Sequence, residues 1–87
     1  MSDDSIQNYY EALVFKELER QLDTADIKIG KDEFADISCV ALNKLPAKYV
    51  RFTIDTTFYS TPEELRKMSE DVSNAVKYAS NFILEKV

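Results

Sequence analysis

The stretch that decides the fold reads ALNKLPAKYVR, residues 41–51. Pro46 must end any helix before it, because proline pushes the preceding residue out of the helical region. From Val50 the apolar residues recur at every second position, whereas upstream they recur every three or four. The stretch therefore predicts a change from helix to strand, and the other elements are assigned outward from it.

The segment upstream of Pro46 predicts a helix from Asp32 to Leu45, with Asp32 as its N-cap. Its apolar and small residues share one face. They are Phe34, Ile37, Ser38, Ala41, Leu42 and Leu45. Cys39 lies beside Val40 in this helix, and we expect it to be a buried structural cysteine.

The start of the chain predicts another helix, from Ile6 to about Leu22, with N-cap candidates in residues 3–5. Its apolar stripe consists of Ile6, Tyr9, Tyr10, Leu13, Val14, Leu18 and Leu22. A connector follows, in which Ile27 and Ile29 are either a short strand or two anchors beneath a loop. Gly30, the only glycine, is expected to adopt a backbone conformation that other residues avoid.

Downstream of Pro46, the alternation from Val50 to Tyr59 predicts a strand. The segment from Ile27 to Ile29 and the same strand of a second subunit are its candidate partners. A final helix opens at Thr61, where Thr61 and Glu64 have capping-box spacing, and extends almost to the end of the chain. Its stripe is Leu65, Met68, Val72, Ala75, Val76, Ala79, Phe82 and Ile83. The expected fold is mostly α, with three principal helices and a short strand between the second and third.

The composition limits the class of function. The 87 residues carry a net charge of −5, which argues against binding to nucleic-acid polymers or to an anionic membrane. No apolar run approaches the roughly 18 residues that a membrane helix needs. The acidic segment 1–4 does not resemble a signal peptide, and the single cysteine cannot form an internal disulfide. We expect one cytoplasmic domain, residues 1–87.

Catalytic templates fit poorly. The chain has no histidine, so the commonest general base and a common zinc ligand are both missing. A single glycine cannot build a glycine-rich phosphate loop. The paired carboxylates lie mostly at predicted helix starts, where they complement the helix dipole. We expect no enzymatic activity, no metal and no cofactor.

Positive charge is concentrated around Pro46. Lys44, Lys48 and Arg51 are three of the eleven basic residues, and no Asp or Glu occurs from residue 37 to residue 54. Pro46 fixes the chain beyond the helix end, and Tyr49 offers a ring between two cations. These features favour a small phosphorylated ligand. The alternative is structural: Lys44 complements the helix dipole, and the other two cations are solvated.

Residues 41–50, which read ALNKLPAKYV, resemble the core of the late competence development protein ComFB family. The segment Asn8–Val14 resembles that family's first helix, and the similarity covers roughly residues 6 to 85. The resemblance implies a small bacterial regulatory protein without catalytic activity that is a receptor for cyclic dinucleotides, cyclic di-GMP in particular. Some members bind zinc through cysteines between the first two helices. Residues 23–34 contain no cysteine or histidine, so we expect no zinc here.

Carried onto this chain, the family motif falls on Lys44, Leu45, Pro46, Lys48 and Tyr49. Arg51 joins the predicted ligand site because of its charge and proximity. A cyclic dinucleotide has approximate twofold symmetry, so a homodimer with its axis near the motif would present each cation twice. The leading hypothesis is therefore a dimeric receptor that signals to a protein partner. The alternative is a ligand-free interaction adaptor; a hydrolase or nuclease is disfavoured by the missing histidine.

Overall fold

The computed structural model describes residues 6–47, 49–51 and 60–85. Within them the order is β1 (Ile6–Asn8), α1 (Tyr9–Ala25), α2 (Lys31–Asn43), β2 (Tyr49–Arg51) and α3 (Pro62–Leu84). Helix α3 packs against both α1 and α2, and these two also contact each other. The mostly helical class predicted from the sequence is confirmed.

The three predicted apolar stripes meet in the hydrophobic core. Its buried members are Tyr10, Val14 and Leu18 of α1, Ile37 and Ala41 of α2, and Met68, Val72, Ala75, Val76 and Ala79 of α3. Every one of them belongs to a predicted stripe. Removal of this apolar surface from water is the main stabilising contribution to such a fold.

The predicted start of the first helix is wrong. Helix α1 begins at Tyr9, because the Asn8 side chain accepts a hydrogen bond from the Tyr10 backbone N–H at 3.2 Å and caps the helix. Ile6 lies in β1 instead of in the helix. Its three-residue spacing from Tyr9 suits a helical face, but spacing alone does not identify the cap. The N-cap candidates at residues 3–5 lie outside the described residues.

The two short strands form an antiparallel pair. Ile6 lies opposite Arg51, Gln7 opposite Val50, and Asn8 opposite Tyr49. The first candidate partner, the segment from Ile27 to Ile29, was wrong, since residues 27–30 connect α1 to α2 without strand structure. The ten-residue strand predicted from Val50 is not confirmed. β2 has three residues, and positions 52–59 lie outside the described part of the chain.

Helix α2 differs from its prediction at both ends. Gly30 is the N-cap instead of Asp32, and its φ of −84° is an ordinary extended value, so no unusual backbone conformation explains this glycine. Its N–H donates to the Glu33 carboxylate at 3.0 Å. The helix ends at Asn43, and Leu45 lies beyond it. Cys39 is exposed, not buried, because it lies two residues from both Ile37 and Ala41 and so on the opposite side of the helix.

The start of α3 agrees with its prediction. The Thr61 hydroxyl accepts from the Glu64 backbone N–H at 3.1 Å, and the Glu64 carboxylate accepts from the Thr61 N–H at 2.8 Å. Pro62 occupies the first turn, where a missing N–H costs little. The apolar stripe was wrong only at Phe82, which is 41% exposed. None of the described helices combines the length and apolar character needed to cross a bilayer.

Candidate functional site

The predicted motif begins at the C-terminal end of α2. Lys44 is the C-cap, and its backbone N–H donates to the Ala41 carbonyl at 3.0 Å. The Leu45 N–H donates to the Leu42 carbonyl at 3.2 Å. Pro46 has no N–H with which to continue this pattern. The chain therefore leaves the helix axis here and leads to β2, which holds the next part of the motif.

This helix end forms a groove with α3. The groove has a volume of about 450 Å³ and lies within the size range of small-molecule sites. It is lined by Lys44, Leu45 and Pro46 of the motif and by Asp71, Asn74, Ala75 and Tyr78 of α3. We call it the Lys44 groove. The structure thus brings Lys44, Leu45 and Pro46 together against α3. The sequence predicts a core role for α3 but no role in the site.

A lysine amine and an aromatic ring meet in the groove, and a second ring stacks on the first. The Lys44 Nζ lies 4.2 Å from the centroid of the Tyr78 ring, which is a cation–π contact. The Tyr78 ring is nearly parallel to that of Phe82, with 6.1 Å between centroids and 10° between planes. Tyr78 is 47% exposed, so its ring is accessible to solvent. The groove therefore presents a cation beside a flat apolar surface.

A second cavity, of about 410 Å³, adjoins the Lys44 groove and shares Pro46 and Asp71 with it. It is lined by Tyr10, Pro46, Ala47, Glu64, Lys67, Met68 and Asp71. The Lys67 amine lies 3.2 Å from the Asp71 carboxylate, one helical turn away. Burial, together with the Asp71 carboxylate, raises the pKa of the Tyr10 hydroxyl above its ordinary value. That hydroxyl is therefore protonated at neutral pH.

The remaining predicted site residues are only partly described. Tyr49 and Arg51 have their backbones in β2, paired with Asn8 and Ile6. Lys48 lies outside the described residues. The ligand-binding roles predicted for these three residues stay predictions, as do those of Lys44, Leu45 and Pro46.

The sequence reasoning missed the three polar residues that α3 contributes to the groove. They are Asp71, Asn74 and Tyr78. Their spacing of three and four residues places them on one face of the helix, next to the apolar stripe. That spacing is visible in the sequence. It gives no sign, however, that this face lies opposite the end of α2, which only the packing of the helices establishes.

Metal binding has no support in the described part of the chain. No group of three or more His, Cys, Asp or Glu side chains is placed there to hold an ion. Cys39 is an exposed free thiol. The absence of a metal site remains a prediction, because it concerns the whole chain.

Comparison with known proteins gives one match. The family model described as late competence development protein ComFB matches residues 7–86, which is nearly the whole chain of 87 residues. Searches of curated proteins and of solved structures found no significant match. The matched range includes every residue that lines the Lys44 groove.

Proposed function

Because the chain belongs to the late competence development protein ComFB family, which indicates competence-related regulation, we propose that it is a receptor for a cyclic dinucleotide. Cyclic di-GMP is the proposed ligand, and the protein acts in the cytoplasm without catalysing a reaction. The observation that carries the proposal is the Lys44 groove. It combines a lysine amine, an exposed aromatic ring and a proline-fixed turn in one cavity.

Lys44 supplies the first phosphate contact. Its present partner is the face of an exposed tyrosine ring, and such a contact is worth only about 0.5–1 kcal/mol. An ion pair with phosphate is a charge-assisted interaction and is stronger. When a phosphate enters, the Lys44 amine moves from the Tyr78 ring to the phosphate. The ring face that it leaves is then free to stack with a base, which contributes about 1–3 kcal/mol.

Asp71 and Asn74 read the edge of that base. Guanine presents two neighbouring donors on its Watson–Crick edge, whereas adenine presents an acceptor beside a donor. An ionised carboxylate only accepts hydrogen bonds, so Asp71 favours guanine. Asn74 has both a donor and an acceptor and completes the contact. The ion pair between Lys67 and Asp71 is exposed and therefore weak enough to rearrange.

The rest of the motif completes the site. Lys48 and Arg51 supply positive charge for the second phosphate, and Tyr49 supplies a second ring. A homodimer would match the approximate twofold symmetry of the ligand and bring two copies of the groove to it. Occupation of the groove then changes the contact between the end of α2 and α3. That change is what a protein partner would detect.

The test is isothermal titration with cyclic di-GMP, cyclic di-AMP, GTP and ATP. We expect saturable binding of cyclic di-GMP and weaker binding of cyclic di-AMP. Lys44→Ala and Tyr78→Ala should each weaken binding about tenfold or more, because each removes a contact of about 1.4 kcal/mol. Lys77→Ala is the matched control, since Lys77 neighbours Tyr78 on α3 but does not line the groove. It should bind within twofold of wild type.

A second pair of variants tests the finer assignments. Lys48→Ala with Arg51→Ala should abolish binding and leave thermal unfolding nearly unchanged. Asp71→Asn should reduce the preference for cyclic di-GMP over cyclic di-AMP, because an amide can also donate to adenine. Full affinity in the Lys44 and Tyr78 variants would refute the groove as the site. The absence of any nucleotide binding by folded protein would refute the receptor.

A ligand-free adaptor is the alternative, and one observation favours it. Phe15 and Ile27 are two large apolar side chains that are 42% and 41% exposed. Such surface commonly marks a protein contact. An adaptor would keep this contact and give no response in the titrations.

A further inference from the structure

A second surface lies at the other end of α2 from the Lys44 groove. We propose that it binds a basic amphipathic segment of a partner protein. Its apolar residues are Phe15, Leu22, Ile27, Ile29 and Phe34, and we call it the Phe15 face. The proposal does not depend on nucleotide binding, because it uses none of the residues of the groove.

The apolar part of the face is continuous. The rings of Phe15 and Phe34 lie 6.1 Å apart, which joins α1 to the first turn of α2. Phe34 also lines a cleft of about 570 Å³ with Leu22, Ile27 and Ile29. An aromatic pair beside an open cleft is the arrangement into which an amphipathic helix places its apolar side chains.

The connector that carries Ile27 is fixed by its backbone. The Ile27 N–H donates to the Leu22 carbonyl at 2.9 Å, and the Asp26 N–H donates to the Asp23 carbonyl at 3.1 Å. These bonds close the end of α1 and hold the Ile27 side chain beside the cleft. The exposed surface is therefore preformed, so a partner does not have to order it on binding.

Charge identifies the kind of partner. Glu19 and Asp23 line the cleft, where Lys28 is the only cation. Asp26 adds another carboxylate at the end of α1, and Lys31 adds an amine at the start of α2. Carboxylates thus outnumber amines around the cleft. The ion pairs recorded among the described residues, Arg20 with Glu17 and Lys67 with Asp71, involve none of these carboxylates.

The same charges disfavour a second copy of this chain as the occupant. Two identical faces would bring Glu19 and Asp23 of both copies together, and close like charges oppose association. A helical segment with Leu on one side fills the apolar cleft. Lys or Arg along the edges of the same segment pairs with the carboxylates. Such a segment binds about 20 Å from Lys44, since α2 has 13 residues and rises about 1.5 Å per residue. Ligand and partner can therefore be bound together.

The test uses a fluorescein-labelled amphipathic helix built only from Leu and Lys, with a matched peptide of Leu and Glu. Fluorescence anisotropy should show saturable binding of the Leu and Lys peptide (the Lys peptide). The Leu and Glu peptide (the Glu peptide) should not bind. Phe15→Ser should weaken this binding at least tenfold, because it removes one half of the aromatic pair. Glu19→Lys with Asp23→Lys should do the same through charge. Circular dichroism confirms that each variant is folded.

The control is Glu63→Lys with Glu70→Lys, which changes the net charge equally at exposed positions on α3. It should bind the Lys peptide within about threefold of wild type. Equal weakening in this control would show attraction to net charge alone and would overturn the proposal. So would no binding of the Lys peptide, equal binding of the Glu peptide, or a Phe15→Ser variant that turns a dimer into a monomer in sedimentation.

Discussion

Asp26 is the one non-glycine residue with positive φ in the described part of the chain. Its φ of 57° and ψ of 42° place it in the left-handed region, at the C-cap of α1. A side chain in that region costs stability, although Asp and Asn tolerate it better than most residues. The carboxylate also lies at the negative end of the helix dipole. Many helices end with a glycine in this conformation, and here Asp26 takes that place at a cost in stability.

Asp26→Gly should therefore stabilise the protein by about 0.5–1 kcal/mol, with the greater freedom of the unfolded glycine offsetting part of the gain. Thermal unfolding followed by circular dichroism would measure the change. Ala25→Gly is the matched control, because Ala25 is the last residue of the helix and glycine costs stability there. The two neighbouring substitutions should shift the midpoint in opposite directions. A lower unfolding midpoint in both variants would contradict backbone strain at Asp26.

Residue identity also explains two of the errors at single positions. Gly30 was expected to need a special conformation because it is the only glycine, yet it caps α2 with ordinary angles. A Cβ there would meet the Glu33 carboxylate oxygen at 2.8 Å, but that oxygen is the far end of a flexible side chain and can move aside at little cost. Cys39 was placed inside by residue type, whereas its angular position on the helix puts it outside.

At the scale of the elements, α3 has the clearest N-terminal signal in the sequence. Thr61 and Glu64 make the capping box that their spacing predicts, and Pro62 lies in the first turn behind it. Thr61→Ala should cost about 1 kcal/mol of the free energy of unfolding, because the first turn loses an acceptor for its N–H groups. Chemical denaturation would measure this cost. Thr61→Ser, which keeps the hydroxyl, should remain within a few tenths of wild type, and an equal loss in both variants would contradict the capping role.

The elements show how far the sequence could predict the fold. The core stripes were predictable because the period of 3.6 residues is set by the helix itself. The beginning of α1 was not, since the three-residue spacing of Ile6 and Tyr9 suits a helical face although Ile6 lies in β1. The partner of β2 depends on a contact between distant parts of the chain, and no local pattern reports it. The α3 side of the Lys44 groove was missed for the same reason.

At the scale of the whole molecule, α1 and α3 are joined by a polar contact beside the core. Glu17 accepts two hydrogen bonds from the Arg20 guanidinium, at 2.9 and 2.7 Å, and one from Gln21 at 2.8 Å. Gln21 also donates to the Ser73 carbonyl of α3 at 3.1 Å. Chiefly because of Arg20, with Gln21 assisting and burial opposing, the pKa of the Glu17 carboxyl is lowered to about 2.

This shift makes stability depend on pH. The carboxyl binds its proton more weakly in the folded state than in the unfolded state, where its pKa is about 4.5. Its stabilising contribution is therefore complete above pH 4.5 and is lost as the pH falls from there to about 2. Glu17→Gln should unfold at lower temperature than wild type near pH 7, and the gap should close toward pH 2. Glu19→Gln controls for the loss of one charge. A gap that stays constant with pH would contradict the assignment.

The pairing of β1 with β2 has a consequence for any polypeptide joined ahead of Ile6. Antiparallel register puts the Ile6 backbone opposite that of Arg51, which belongs to the predicted ligand site. A bulky fusion attached there would crowd the ligand site, whereas one attached after α3 would leave from a helix end. A fluorescent reporter for ligand binding would therefore respond most strongly when fused at the front of the chain.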